Sequence, residues 1–352
     1  MMDFSNPLAP SGWFAKKGSE YDVVVSSRIR LSRNLQGYRF PSVMEEEERA
    51  AVDDLVSSAL RTCGREDGLE VMKLGSLAPL ERRMLLERNL ISQDFSLKTF
   101  KTFFITDDHI ISGMVNEKDH VRFAGIYSGL ELGEAYKRIN RIDDLLEERL
   151  EYAVSIDFGY LTPDITNTGC GMRASLLMHL PALVRTGLID KALKAVVQLG
   201  MQIKGYFTDD QLSLGDMYQV ANQFSIGTSE KEILEKLENL GVQLVHYERK
   251  AREELFDRRT VDLEDIVYRA WGILTNCRRI SAKEAIEKLA TLRFGAVMGI
   301  VDVPVEAVTA LQFVTQKAHI QHYLKGGDDE SEADQVEITR AKVIQTVLKE
   351  SS

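Results

Sequence analysis

The chain has 352 residues, enough for two domains with cores of their own, and is 44% hydrophobic and 28% charged. A net charge of −10 argues against non-specific nucleic-acid binding, and three scattered cysteines (Cys63, Cys170, Cys277) argue against a disulfide framework or a zinc cluster. No apolar run is long enough to span a bilayer and Met1 to Lys17 does not read as a secretory leader, so a cytoplasmic protein without a membrane partner is expected.

Tyr21 to Ser27 is apolar and β-branched, a strand by composition, and runs into Ser26-Ser27-Arg28-Ile29-Arg30. In extended chain Arg28 and Arg30 share one face, a paired cationic surface suited to a polyphosphate, where the plainer reading is a solvated strand edge. Ser42 with Glu45 reads as the cap of an acidic helix to about Arg61, Leu69 to Leu74 as a short strand, and Ser76 as the cap of a helix to about Asn89. Lys101 to Thr106 and His109 to Val115 read as a hairpin around Asp107-Asp108. Asn116-Glu117-Lys118-Asp119-His120-Val121-Arg122 follows, a charged strand end whose carboxylates suit Mg²⁺ if it faces a cleft.

Leu130 to Ala153 has the spacing of a long amphipathic helix. A β-type run, Tyr152 to Asp157, leads to Leu161 through Ser175, where Gly169 and Gly171 would let backbone approach a ligand closely. Arg173 is placed at the start of a predicted helix, Met172 to Leu183, whose free N–H groups would join it on one anion. Alone, such a Gly-x-Gly is usually only a turn. Ile189 to Leu199 reads as a helix, Met201 to Phe207 as a strand ending at the acidic Thr208-Asp209-Asp210, and Leu214 to Ile226 as extended. Ser229 with Glu232 opens a charged helix to about Arg258. Beyond it Asp262 to Cys277, Ser281 to Leu292, Pro304 to Leu324 and Glu337 to Lys349 are all helical, with His319 and His322 expected on a solvated face. The prediction is an α+β domain over residues 1–255 and an all-helical domain over 256–352.

Arginine stations (Arg28 with Arg30, Arg122, Arg173, and Lys204 in weaker form) and two acidic strand ends on one α+β domain are what phosphoryl transfer needs: cations and Mg²⁺ for the moving phosphoryl group, and an acceptor placed in line. No Gly-x-x-x-x-Gly-Lys loop, His-Arg-Asp or dinucleotide fingerprint is present.

Ser26 to Arg30, Asn116 to Arg122, Thr166-Asn167-Thr168-Gly169-Cys170-Gly171-Met172-Arg173-Ala174 and Ile203-Lys204-Gly205 together resemble the ATP:guanido phosphotransferases, and the helical C-terminal domain resembles that of the bacterial protein-arginine kinases (McsB). The resemblance runs from about Trp13 to the C-terminus. It implies an antiparallel sheet flanked by helices, of the glutamine-synthetase-like type, ATP with Mg²⁺, and phosphorylation of arginine side chains in proteins. A homodimer acting in stress response, with an activator protein and a Clp protease as partners, is implied too. Nucleotide contacts are implied at Ser26, Ser27, Arg28, Ile29, Arg30, Asn89, Arg122, Arg173, Ala174, Ser175, Leu176, Leu177, Lys204, Gly205 and Asp209, and a metal contact at Asp119.

The sequence departs from the family pattern mainly on the acceptor side. The nucleotide-binding His falls at Asn89, and the Arg before Gly205 is Lys204, which keeps the charge and loses the bidentate fork. In the catalytic set, Glu117 is kept. The carboxylate expected next to it is Lys118, the second acceptor Glu is Asp209, and the active-site Cys is Asp164. The phosphoarginine-docking pattern reads Val336-Glu337-Ile338-Thr339-Arg340-Ala341, leaving Arg340 as its remnant. Three readings follow: a protein-arginine kinase with a rearranged acceptor site, a nucleotide-binding pseudokinase, and, less favoured, a small-molecule guanidino kinase.

Overall fold

In the computed structural model, which describes residues 12–63, 68–98, 100–207, 213–325 and 333–350, strand β1 (Val24–Arg33) lies in the middle of an eight-stranded sheet. It is followed by α1 (Glu46–Cys63), β2 (Leu69–Lys73), α2 (Pro79–Glu87), α3 (Gln93–Ser96), β3 (Thr102–Thr106), β4 (Ile111–Val115), β5 (Val121–Ser128) and α4 (Leu132–Glu147). A two-stranded ribbon, β6 (Val154–Ser155) with β7 (Gly159–Tyr160), precedes β8 (Met172–His179), α5 (Pro181–Arg185), α6 (Ile189–Gln198), β9 (Met201–Gly205) and β10 (Met217–Asn222). The rest is helical: α7 (Glu230–Asn276), α8 (Ala282–Val297), α9 (Val305–Val314), α10 (Lys317–Lys325) and α11 (Ala333–Glu350).

The sheet order is β2-β3-β4-β5-β1-β8-β10-β9, with every neighbouring pair antiparallel. Strand alternation gives it two unlike faces. Ile29, Leu31, Phe123, Ala174, Leu176 and Val220 point one way and pack with α1, α4 and α7 in the main core. Arg28, Arg30, Arg122, Arg173 and Lys204 point the other way. Farther along that second face the residues turn apolar. There Val25, Ile126, Leu177 and Met217 form a second core with Trp13, Phe14 and the helical domain. The helical domain therefore covers one end of the cationic face and leaves the other open.

Helix α7 starts at a capping box, Ser229 Oγ accepting from Glu232 N while the Glu232 side chain returns to Ser229 N. It runs unbroken to Asn276 except at Arg259, whose backbone is non-helical (φ −142°, ψ 36°). Arg293 of α8, fully buried, donates to Thr309 Oγ1 (2.9 Å), to His179 Nδ1 (2.9 Å) and to the carbonyls of Tyr21 and Asp22, tying the helical domain to the chain entering β1.

The predicted antiparallel sheet flanked by helices, with a helical C-terminal region, is what forms. Local departures have physical causes. The helix predicted at Met172 to Leu183 is instead strand β8 followed by the short α5. Met, Ala and Leu favour helix, but this segment is sandwiched between β1 and β10 and buried on both faces, where pairing outweighs propensity. The Pro304 to Leu324 helix is two helices, broken at Thr315 and Gln316. Ser76 does not cap α2: its hydroxyl donates to Lys73 O, and the helix starts at Pro79 with the Glu81 carboxylate on Ala78 N (2.7 Å). His319 is not on a solvated face but buried.

Candidate active site

The cationic face is assembled by register. Arg30 of β1 lies directly across from Arg173 of β8, Arg28 from Ser175, Ser32 from Arg122 of β5, and Gln219 of β10 from Lys204 of β9. The charges crowd one another. Burial chiefly, with Arg122 and Arg173 adding repulsion, holds Arg28 down to about 10, Tyr206 offsetting part of it. Arg30 is depressed too, by burial and then by Arg122, Arg28 and Arg173, with Asp119 offsetting part of it. Arg173 and Lys204 are lowered as well, first by burial. Among the described residues, the Nε atoms of Arg28, Arg30 and Arg122 are buried without a hydrogen-bond partner. Buried donors without acceptors cost free energy, and a set of them converging with one sign of charge is matched by a polyanion.

Beside these arginines opens a cavity of about 540 Å³. Its lining includes Ser26, Arg28, Ser175, Leu177, Lys204, Gly205 and Gln219 from the sheet, and Trp13, Tyr206 and Phe207 as an aromatic wall. Asn89 lines it too, in the left-handed region (φ 61°), donating from Nδ2 to Tyr206 Oη at 2.6 Å. The side chains of Ser27, Ile29, Ala174 and Leu176, implied as nucleotide contacts, face the opposite way into the core. The strand period of two allows only alternate residues to reach the cavity.

Gly169 and Gly171 do have positive φ (119° and 66°), but the close approach they allow is to the chain itself. A Cβ at Gly169 would strike the backbone of Ser225, and one at Gly171 would strike Ser32 O and the Arg33 guanidinium. Nor does Arg173 open a helix: it projects from a central strand, so no helix N-terminus contributes there.

A second cavity, about 440 Å³, is lined by Arg49, Lys98, Lys101, Glu117, Lys118 and Asp164. Glu117 is bound to Arg122 Nη1 at 2.5 Å and accepts from Ser92 Oγ at 2.9 Å. Arg122 thus stands between the cationic row and this cavity. Asp164 Oδ1 accepts from Thr166 N (3.1 Å) and Thr166 Oγ1 (2.7 Å), which chiefly hold its carboxyl below the usual range, with Lys118 and Arg30 adding to the effect. Arg173 in turn is influenced by Asp164. Asp164 therefore shares a cavity with Lys118 and is within electrostatic reach of Arg30 and Arg173.

Two implied site residues have structural partners of their own. Asp119 is buried and accepts from Asn34 Nδ2 at 2.9 Å, burial raising its carboxyl, and among the described residues no three His, Cys, Asp or Glu converge on a metal position. Asp119 also lies within electrostatic reach of Arg122 and Arg30, at the edge of the cationic row. Arg340 is buried and donates to Thr315 O (2.7 Å) and Ile280 O (2.9 Å), a staple between helices. Asp209 lies outside the described residues. Sequence reasoning missed Trp13, Glu87, Tyr206, Phe207, Gln219 and Gln316 of the first cavity. The aromatic pair at the end of a strand that enters the site was a usable signal; Gln316 carried none.

The match to known proteins follows the same division. Residues 51–251 match the model of the ATP:guanido phosphotransferase C-terminal catalytic domain, more than half of the chain. The chain belongs to this family. Residues 260–352 match the protein-arginine kinase McsB C-terminal domain. A protein-arginine kinase of Bacillus licheniformis is 39% identical, over 97% of this chain and 94% of that protein. Another from Caldanaerobacter subterraneus is 42% identical, over 85% of this chain and 90% of its own length. Among solved structures, lombricine kinase superposes with a TM-score of 0.59 at 21% identity, covering 70% of this chain and 73% of its own. The duplicated taurocyamine kinase of Schistosoma mansoni gives the same TM-score at 19% identity, covering 81% of this chain and 42% of that one. At those identities they speak to the fold. Among the described residues of this guanido phosphotransferase no helix is long and apolar enough to cross a membrane.

Proposed function

We propose that the protein is a protein-arginine kinase that transfers the γ-phosphoryl group of ATP to arginine side chains of proteins. The observation that carries this is the row of arginines whose buried Nε donors have no partner among the described residues, opening at one end on an aromatic-walled cavity and at the other, through Arg122 and Glu117, on a second cavity that holds Asp164. The relatives named protein-arginine kinase, similar over nearly the whole chain, support the choice of acceptor.

In this reading the triphosphate lies across Arg28, Arg30, Arg122, Arg173 and Lys204, and the nucleoside lies toward Trp13, Tyr206 and Phe207. The acceptor guanidinium enters the second cavity against Asp164. Its terminal nitrogen attacks the γ-phosphorus, the bond to the bridging oxygen breaks, ADP leaves, and one guanidinium proton is released. Arginine charge stabilises the phosphoryl oxygens, and Glu117 orients Arg122. The described residues do not fit a protein-held Mg²⁺, so Mg²⁺ belongs to the proposal only as the ion that accompanies ATP on its own phosphates.

The decisive experiment incubates purified protein with Mg-ATP and an arginine-rich protein, then reads phosphoarginine by mass spectrometry under conditions that preserve this acid-labile group. No phosphoarginine from folded, nucleotide-binding protein would favour the pseudokinase reading, for which Lys118 in the acceptor cavity is the specific motive. A homodimer through the helical domain is part of the proposal, supported by Val261 and Tyr268 exposed on α7. Light scattering at micromolar concentration should give twice the mass of one chain, and a monomer would exclude it. A cytoplasmic role in stress response beside an activator and a Clp protease rests on family resemblance; unchanged survival of a deletion strain under heat and oxidative stress would count against it.

A further inference from the structure

We propose that the helical domain is a working part of the nucleotide site, in which Gln316 and the Glu87–His319 pair position the nucleoside end, so that nucleotide binding and the seating of α10 are coupled. This rests on the reading that the first cavity takes ATP.

The cavity is shared between domains. Leu86, Glu87 and Asn89 reach it from the end of α2, and Gln316 reaches it from the turn between α9 and α10. Those two elements are clasped to each other by their polar groups. The Glu87 carboxylate accepts from Ala318 N (2.8 Å) and His319 N (3.3 Å), satisfying the open first turn of α10. It also meets His319 Nδ1 at 2.7 Å. Arg88 Nε donates to the other ring nitrogen, Nε2, at 2.9 Å. With Nε2 accepting, Nδ1 carries the proton and donates to Glu87, so the ring is locked as one neutral tautomer. Its burial, which lowers its affinity for a second proton, agrees with this.

The clasp meets the cavity directly at Glu87 and is linked to it again through the residues that follow. Glu87 and Arg88 hold the helical domain, and the next residue, Asn89, holds the cavity wall through Tyr206 Oη. The left-handed backbone of Asn89 sets the angle between the two jobs. A second brace runs through the aromatic wall: Trp13 lies edge-on to Phe313 of α9 (4.8 Å between centroids), and Phe207 lies 5.9 Å from the same ring. A shift of α9 and α10 would therefore displace Trp13, Phe207 and Asn89 together. Closely packed elements transmit such a shift rather than absorb it.

The test is amide hydrogen exchange on the full chain with and without saturating Mg-ADP. Slowing is expected both in β1 and β8 and in α10, residues 317–325. Slowing in the strands without α10 overturns the inference and leaves the assignment of the cavity standing. Slowing in neither overturns both. His319→Ala should raise KM for ATP about tenfold with kcat changed less than about threefold, removing ground-state binding rather than chemistry. Should that variant fail to fold, Gln316→Ala, at a partly exposed turn, carries the same comparison. A wild-type KM for ATP, or equal loss in kcat and kcat/KM, would count against the coupling.

Discussion

Replacing Arg28 by Met should make the empty protein more stable and the nucleotide-bound protein less so. Arg28 is brought down to about 10 by burial and by Arg122 and Arg173. At about 1.4 kcal/mol per pH unit, that corresponds to about 3 kcal/mol against the charged form. Arginine is charged in both folded and unfolded chains at pH 7.5, so this burden is present at every pH below about 10 and leaves with the side chain. Cleft water still reaches the group, so roughly half should be recovered, about 1–2 kcal/mol. Thermal unfolding without ligand should rise by about 2–4 °C. With Mg-ATP the order reverses, because a charge-assisted contact of about 1.5–3 kcal/mol is lost and affinity falls roughly 10- to 100-fold. Scanning fluorimetry over an ATP titration reads both effects at once. A lower midpoint for the empty variant, with its ATP-induced shift unchanged, would show that Arg28 is a structural cation and refute the reasoning.

The same substitution three strand positions beyond Arg30 should do the opposite. Arg33 is buried in a pair with Asp143 (2.6 Å), so Arg33→Met should cost about 3–5 kcal/mol by stranding the carboxylate, and adding Asp143→Leu should restore much of it in chemical denaturation. Asp164→Asn should lower phosphoarginine formation at least about 100-fold by mass spectrometry with ATP affinity nearly kept, the size of effect of losing one oriented charged group; if the parent makes none and Lys118→Glu creates it, the parent is a pseudokinase. Asp216 has its carboxyl pushed up to about 6 by burial, a raised acid, so the parent's stability falls as pH rises through about 6. Asp216→Asn should therefore raise the unfolding midpoint clearly more at pH 7.5 than at pH 4.5; an equal gain at both would exclude titration as the cause.

What the chain determined alone was its alternation and its chemistry. Arg28 and Arg30 share a face because a strand repeats every two residues, and that followed from β-branched neighbours with no knowledge of partners. The concentration of helical periodicity after residue 260 and the placement of charge at Glu117 to Arg122 were equally local facts. The tertiary structure decided which arginines are ligands for an anion and which are structural. Arg28 and Arg33 lie on opposite faces of one strand by that same alternation, but only packing made the first face open, across from Ser175, and the other a core in which Arg33 meets Asp143. It also made a strand of Met172 to His179 against its own helical preference, because only a strand satisfies the backbones of β1 and β10 on either side. Glycines that looked poised for a ligand are spaced for Ser32 and Ser225 instead. Glu87 and His319 lie more than two hundred residues apart, and no sequence period records such a meeting; it exists because two domains share one sheet face, polar at one end and apolar at the other.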